Sequence, residues 1–316
     1  MTHSKNLIYK KALVLLNMGA ARNKDELEVF LTNMFNDENI LTFKNSTIRS
    51  MIASLIVTFR LNKAWENYEE IGGASPLHEL TDKLIEKLQN ELPEYFVTDA
   101  MRYTSPFSQT AIARIKEKNI KDVVLLPLYP QYSTTTVKSS VDDFVEKIED
   151  EDFNIDIIEP FYKNELYNKA ICDEIIKVQG KYNDFHIIFS AHGLPQKIVN
   201  NGDPYQTQVE EHVEILKEKL THYATNIKSI NLAYQSKVGP MKWLTPSLED
   251  MLKHFKGEKV IIYPISFIID NSETVFELEI EYREIAEKLG VKEYKVCACV
   301  NDSDTFIEAV KELITL

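Results

Sequence analysis

The chain has 316 residues, 44% of them hydrophobic, with 36 Lys+Arg against 49 Asp+Glu and a formal net charge of −13. Only 9 Gly and 11 Pro exclude collagen-like and Pro/Gly-rich disordered classes, and the carboxylate excess argues against a nucleic-acid surface, where each phosphate needs a Lys or Arg. Three cysteines, Cys172, Cys297 and Cys299, cannot staple a chain of this length, which is the usage of a reducing compartment.

Short apolar runs followed by helical periodicity mark the βα pattern of parallel sheets. The first run, residues 12–16, follows a Lys-bearing start, but Asn17 interrupts it and no small-residue cleavage site follows. It reads as a strand rather than a signal sequence, so a cytoplasmic location is expected. Residues 25–75 hold an apolar segment, 51–59, bounded by Arg49 and Arg60 and accompanied by Met34, Phe35, Phe43 and Trp65. It is too short to span a membrane; it could cover a greasy ligand, lie on a membrane surface or form a buried helix face. Further strands are expected at 95–100, 123–128, 155–158, 185–189, 229–233, 259–265 and 294–300.

The last four strands repeat the first four. Val14-Leu-Leu-Asn-Met-Gly19 corresponds to Ile188-Phe-Ser-Ala-His-Gly193, Arg102-Tyr-Thr-Ser-Pro106 to Ser236-Lys-Val-Gly-Pro240, and Leu126-Pro-Leu-Tyr-Pro130 to Tyr263-Pro-Ile-Ser-Phe267. Three strand pairs are offset by roughly 135–140 residues and the first by about 175, leaving an insertion of about 40 residues within 25–75. The expected fold is α/β, with two similar Rossmann-like lobes, each a four-stranded parallel sheet flanked by helices. The lobes are placed at 1–160 and 161–316, with an apolar lip at about 25–75, a cleft between them and a terminal helix packing back on the first.

Ligands of such sheets sit at strand carboxyl ends, so those residues are the candidates. His192 follows a buried strand in a turn marked by Gly193 and Pro195. Beyond another strand end, Glu273, Glu277 and Glu281 fall at i, i+4 and i+8 of a helix, where like charges cost a few tenths of a kcal/mol each. Two readings stand: a solvated acidic face, favoured by nearby Glu279 and Glu284, or a row of carboxylates leading to His192 for a cation or for protons. Cys297 and Cys299, two apart in an expected strand, read as buried thiols rather than a metal pair. There is no P-loop, no G-x-G-x-x-G after a strand and no G-x-S-x-G elbow.

In order along the chain stand Leu16-Asn-Met-Gly19, Tyr68-Glu-Glu-Ile-Gly-Gly-Ala-Ser-Pro-Leu77, Met101-Arg-Tyr103 and Leu128-Tyr-Pro-Gln-Tyr-Ser133. The second half adds Phe189-Ser-Ala-His-Gly-Leu-Pro195, Asn201-Gly-Asp-Pro-Tyr205, Tyr234-Gln-Ser-Lys-Val-Gly-Pro-Met-Lys-Trp-Leu244 and Glu273-Thr-Val-Phe-Glu-Leu-Glu-Ile-Glu-Tyr282. Together they resemble the ferrochelatases, bacterial type, over nearly the whole length. The resemblance implies a chelatase-like two-lobed fold that inserts Fe(II) into protoporphyrin IX, giving protohaem and two protons, the last step of haem synthesis. It places His192 and Glu273 as catalytic residues and His192, Glu273, Glu277 and Glu281 on the metal's path. Met18, Arg60, Arg102, Tyr103, Thr135, Trp243 and Phe267 fall on porphyrin-lining positions, with Arg60 suited to a propionate.

Fe(II) enters as substrate and no cofactor is implied. Eukaryotic relatives bind an iron–sulfur cluster through a C-terminal extension; this sequence stops at Leu316 after one terminal helix and has Thr134 where their remaining cluster cysteine lies, so no cluster is expected. Asn271 stands where many relatives have a histidine. A monomer is expected, with no nucleic acid and with peripheral contact of the lip at the inner membrane. The alternatives are a chelatase for coproporphyrin III or a cobalt-receiving precursor, and a non-catalytic haem or porphyrin carrier.

Overall fold

The computed structural model describes residues 9–148, 152–180, 184–223, 227–237 and 241–315. Val238-Gly-Pro240 of the repeated motif lies outside the described residues. In the first half β1 (Lys11–Asn17), β2 (Tyr95–Met101), β3 (Asp122–Pro127) and β4 (Asn154–Ile157) form a parallel sheet in the order β2-β1-β3-β4. In the second, β5 (Phe185–His192), β6 (Ile227–Gln235), β7 (Lys259–Tyr263) and β8 (Glu293–Val296) repeat that order as β6-β5-β7-β8. The repeat read from the sequence is therefore a repeat of topology. One strand differs at its end: β8 stops at Val296, the Cys297 N–H makes a last bond to the Ile262 carbonyl at 2.8 Å, and the Cys299 N–H turns to the Asp270 carboxylate at 3.2 Å. Both cysteines are nonetheless buried.

The apolar runs dictate the layers. In β1, Leu13 and Leu15 face one way while Ala12, Val14 and Leu16 face the other, the two-residue period of a strand buried on both sides. Leu13, Leu15, Val124 and Leu126 of the first sheet join Ile187, Phe189, Ile261 and Tyr263 of the second in one core. Helix α6, defined below, contributes Tyr167, Ile171 and Ile175 to it, so the inner faces of both sheets share a single interior. The outer faces have smaller cores of their own.

Helices cover these faces. α1 (Lys24–Asn36) and α2 (Ser46–Glu70) start at Asn23 and Asn45, whose side chains accept the N–H groups of Glu26 and Ile48. They form a hairpin with a separate core of Leu27, Leu31, Phe35, Ala53, Val57 and Tyr68. Next come α3 (Leu77–Glu91), α4 (Ser108–Glu117), a π-helical turn over Thr134–Lys138, α5 (Ser139–Glu146) and α6 (Glu165–Gln179). The second half has α7 (Gln196–Asn200), α8 (Tyr205–Tyr223), α9 (Leu248–Leu252), a π-helix over Glu273–Glu281, α10 (Tyr282–Leu289) and α11 (Asp304–Leu313). α11 lays Phe306 against Tyr167 of α6, with ring centroids 6.0 Å apart, and Lys311 reaches Glu91 of α3 at 3.2 Å.

A neutral histidine pins the halves together. His212 of α8 is fully buried; its Nε2 donates to Asn168 Oδ1 at 2.9 Å, and its Nδ1 accepts from Gln131 Nε2 at 2.8 Å. Gln131 also donates to the Ile265 carbonyl at 3.2 Å. Burial pushes the His212 pKa down to about 3. Below the ordinary value near pH 6.5 the unfolded chain binds a proton that the native state refuses, so stability falls with pH until about pH 3. Urea unfolding should show the parent losing stability relative to His212→Gln by up to about 1.4 kcal/mol per pH unit below pH 6.5; parallel profiles for the two proteins would contradict this.

Candidate active site

The topology changes direction between β5 and β7, whose neighbours lie on opposite sides, and at such a switch point the loops part to leave a crevice. His192 closes β5 here. Its Nδ1 lies 2.8 Å from Glu273 Oε2, so Nδ1–H donates to the carboxylate and Nε2 is the nitrogen offered to a substrate. Its backbone is held as well: the N–H donates to Ser266 Oγ at 3.1 Å, and the carbonyl accepts from the Tyr205 hydroxyl at 2.9 Å. Tyr205 and Ser266 are themselves 2.6 Å apart. Phe267 stands edge-on to the imidazole, with centroids at 6.2 Å. Gly193 is required by its neighbours, since a Cβ there would lie 2.4 Å from the Gln235 carbonyl and 3.3 Å from the Trp243 ring.

The three glutamates lie on the π-helix that follows β7, a form with i→i+5 hydrogen bonds where the sequence pattern predicts an ordinary helix. The Asn271 side chain accepts the Glu273 N–H at 2.8 Å at its start. The Ser236 hydroxyl joins the first two carboxylates, 3.2 Å from Glu273 Oε2 and 2.6 Å from Glu277 Oε2, while the Ser236 N–H donates to Glu277 Oε1 at 2.7 Å. Gln235, fastened by Ser190, adds a bond from Nε2 to Glu277 at 3.2 Å. Glu273 and Glu277 are partly buried and Glu281 is exposed, so the row runs from the crevice to solvent. At its outer end Glu281 lies in the field of Lys63 and Glu70 of α2, and Tyr68 of the same helix donates to Ser272 Oγ at 3.2 Å.

Burial opposes charge on His192 and Glu273 alike, but each stabilises the other's charged form more strongly. The imidazole pKa is held above its ordinary value and that of Glu273 below. Glu277 differs: burial first, and then the adjacent Glu273 charge, push it up to about 7. The row thus presents a hydrogen-bonded imidazole–carboxylate pair, then a carboxyl that exchanges protons near neutrality, then an exposed carboxylate.

The other sequence candidates divide. Phe267 and Trp243 are next to His192, Trp243 through Gly193 and a β-bridge to Pro195. Met18 occupies the equivalent strand end of the first half, its carbonyl accepting the Tyr103 N–H at 2.9 Å. Thr135 is buried in the first-half π-turn, where its N–H donates to Ser133 Oγ at 3.2 Å. Arg60 is exposed on α2, its guanidinium 5.8 Å from the Phe35 ring centre. Arg102 and Tyr103 are committed elsewhere. Arg102 pairs with Asp37 at 3.1 Å and Asp143 at 3.2 Å, and the wholly buried Tyr103 donates to Asp37 at 2.8 Å. Ser139 also donates to Asp37, and these bonds outweigh burial to keep that carboxyl pKa low.

Sequence reasoning missed Ser236, Gln235, Ser266 and Tyr205 as site residues. All four stood in plain view, Gln235 and Ser236 within Tyr234–Leu244, Ser266 within Tyr263–Phe267 and Tyr205 closing Asn201–Tyr205, but none of these residue types announces chemistry. Among the described residues, no group of three His, Cys, Asp or Glu could hold a metal ion.

The sequence model of the ferrochelatase family matches residues 10–316. The chain is 52% identical to the ferrochelatase of Sulfurimonas denitrificans over 310 residues, covering 96% of this chain and 98% of that one. It is 46% identical to the Wolinella succinogenes ferrochelatase, with 97% and 98% covered, and 44% identical to that of Helicobacter pylori strain 26695, with 96% and 94% covered. Among solved structures, SirB from Bacillus subtilis with Fe3+ aligns at a TM-score of 0.59 and 11% identity, covering 97% and 94%. The sirohydrochlorin chelatase SirB from its subspecies spizizenii, in complex with cobalt, aligns at 0.58 and 9%, with the same coverage. At such identities these two speak for the fold alone, and they share it.

The coupling within the row can be measured. Carbon-13 NMR of labelled glutamate should show one carboxyl titrating near pH 7, and Glu273→Gln should lower that value by removing the neighbouring charge. An unmoved titration in the variant would refute the coupling.

Proposed function

The chain belongs to the ferrochelatase family, and from that membership we propose how its residues perform the reaction. The protein is an enzyme of haem synthesis, a metal chelatase that inserts Fe(II) into protoporphyrin IX with release of two protons. The His192–Glu273 contact at 2.8 Å is the observation that carries the assignment. A free-base porphyrin must lose two pyrrolic protons as the metal enters, so the site needs bases at the ring centre. His192 and Glu273 accept those protons. Glu277, poised near neutrality, takes them onward, and Glu281 continues the row to solvent. Fe(II) moves the other way along the same carboxylates, and the four ring nitrogens complete a ligand set the protein supplies only in part.

The macrocycle lies between the two strand-end clusters, against Met18 and Thr135 from one side and Trp243 and Phe267 from the other. Arg60, with no ion pair among the described residues, meets a propionate. Arg102 and Tyr103 support the wall through Asp37 rather than meeting that carboxylate as free groups. Bending the ring against this aromatic lining exposes the inner nitrogens and moves the substrate toward the metallation transition state. The reading needs no resident cofactor and no iron–sulfur cluster. Burial pushes the Cys172 thiol up to about 12 and raises Cys297 and Cys299 well above the ordinary range, which suits buried structural thiols. The reading takes the protein as a monomer.

Among the described residues no helix is long and apolar enough to cross a membrane. Yet Ile48, Met51, Leu55 and Phe59 form an exposed stripe along α2, flanked by Arg60 and Lys63. Apolar side chains amid cations suit peripheral contact with an anionic lipid surface, from which a greasy porphyrin can be taken up.

In an anaerobic absorbance assay with protoporphyrin and Fe(II), His192→Ala and Glu273→Gln should each lower metal insertion by about 100-fold or more while porphyrin still binds; near-normal insertion by folded variants would overturn the assignment. Phe59, 81% exposed, reports on the membrane. Phe59→Glu should reduce co-sedimentation with anionic liposomes several-fold, and undiminished sedimentation would count against lipid contact.

A further inference from the structure

The segment Asn201-Gly-Asp-Pro-Tyr205 contributes no residue to the reaction as described, yet it contains a buried carboxylate that bonds to both halves of the molecule. Asp203 is 6% exposed. Its Oδ2 accepts the Thr134 N–H at 2.7 Å, the Thr134 hydroxyl at 2.7 Å and the Ser133 hydroxyl at 3.0 Å, all from the loop that enters the first-half π-turn. Its Oδ1 accepts the Tyr205 N–H at 3.0 Å, at the start of α8 in the second half. Tyr205 then carries the constraint to the reacting centre, since its hydroxyl holds the His192 carbonyl and Ser266. One oxygen therefore fixes the wall that holds Thr135, and the other fixes the residue that anchors His192.

We propose that Asp203 and Tyr205 are positioning residues, a latch that sets the distance between the porphyrin wall at Ser133–Thr135 and the base His192. This rests on the functional reading above, and it assigns a purpose to a motif that reading leaves unused. The chemistry of the latch demands an acceptor-only group. Four donors converge on Asp203, and an asparagine would turn an NH2 group toward one side of that cluster, leaving buried donors without a partner. The site tolerates little slack, because displacement by about 1 Å of a group that meets the reacting atoms can cost 100-fold in rate.

The test uses the full chain and compares Asp203→Asn, Tyr205→Phe and Thr134→Val by anaerobic metal insertion, porphyrin fluorescence quenching and thermal melting. Tyr205→Phe cuts the ties to the His192 carbonyl and to Ser266 while leaving the wall bonded to Asp203, and should lower kcat about tenfold with the porphyrin KM within twofold of the parent. Asp203→Asn releases both ends, so kcat should fall as far and the porphyrin Kd should rise several-fold. Thr134→Val loosens only the wall and should raise the porphyrin Kd with a smaller effect on kcat. Folded Asp203→Asn and Tyr205→Phe proteins with kcat, KM and Kd within twofold of the parent would overturn the latch, even if their melting temperatures fall. Should Asp203→Asn fail to fold, unchanged values in both Thr134→Val and Tyr205→Phe would overturn it equally. A parent that binds porphyrin but inserts no metal would refute the functional reading instead, and the Kd of Thr134→Val would still decide the wall half of the latch.

Discussion

Two strands that must be apolar on both faces, β1 and β5, constrain everything else in the molecule. A parallel strand buried on either side needs helices above and below, and the crossovers that deliver them place one neighbour on each flank. Each sheet therefore has its first strand inside, with the crevice of the switch point beside its carboxyl end. Asn17-Met18-Gly19 and His192-Gly193 are where those two strands run out. Reactive groups in these positions are set by the rigid part of the fold, while the loops beyond them are free to vary.

Duplication then permitted division of labour. After β3 and after β7 the chain makes the same detour into a π-helical turn. In the second half that detour carries Glu273, Glu277 and Glu281 beside a histidine. In the first it carries hydroxyls and faces an Arg102–Asp37 network that leaves no strong base exposed.

Apolar periodicity made the eight strands, the repeat and the apolar insertion at 25–75 legible, though not the insertion's two-helix form, because the burial of apolar surface dominates the drive to fold and leaves its mark on neighbouring residues. His192 and Glu273 were legible as strand-end residues and more firmly as motif matches. What stayed hidden depends on long-range pairing or on small geometric choices. Nothing local says that Arg102 will meet Asp37, 65 positions away. A π-helix differs from an α-helix by one step in hydrogen-bond register, which the spacing of three glutamates does not encode. Ser236, Tyr205 and Asp203 act through hydrogen bonds with partners 13 to 70 positions distant, so their residue types look ordinary until the chain is folded.

The α1–α2 hairpin has an apolar cluster of its own in Leu27, Leu31, Phe35, Ala53, Val57 and Tyr68, and Phe30 adds an edge-on ring contact to Tyr103 outside it, with centroids 5.7 Å apart. Its ties to the rest of the molecule include polar ones: Asp37 to Tyr103, Asn33 to the Tyr103 carbonyl and Tyr68 to Ser272. A unit of this kind can part from the sheets without opening their interiors. Its local unfolding is a cheaper event than global unfolding, with a free energy of its own. Water can replace the hydrogen bonds and charges among those ties one by one as the hairpin lifts, whereas the Phe30–Tyr103 ring contact has to be wetted in a single step.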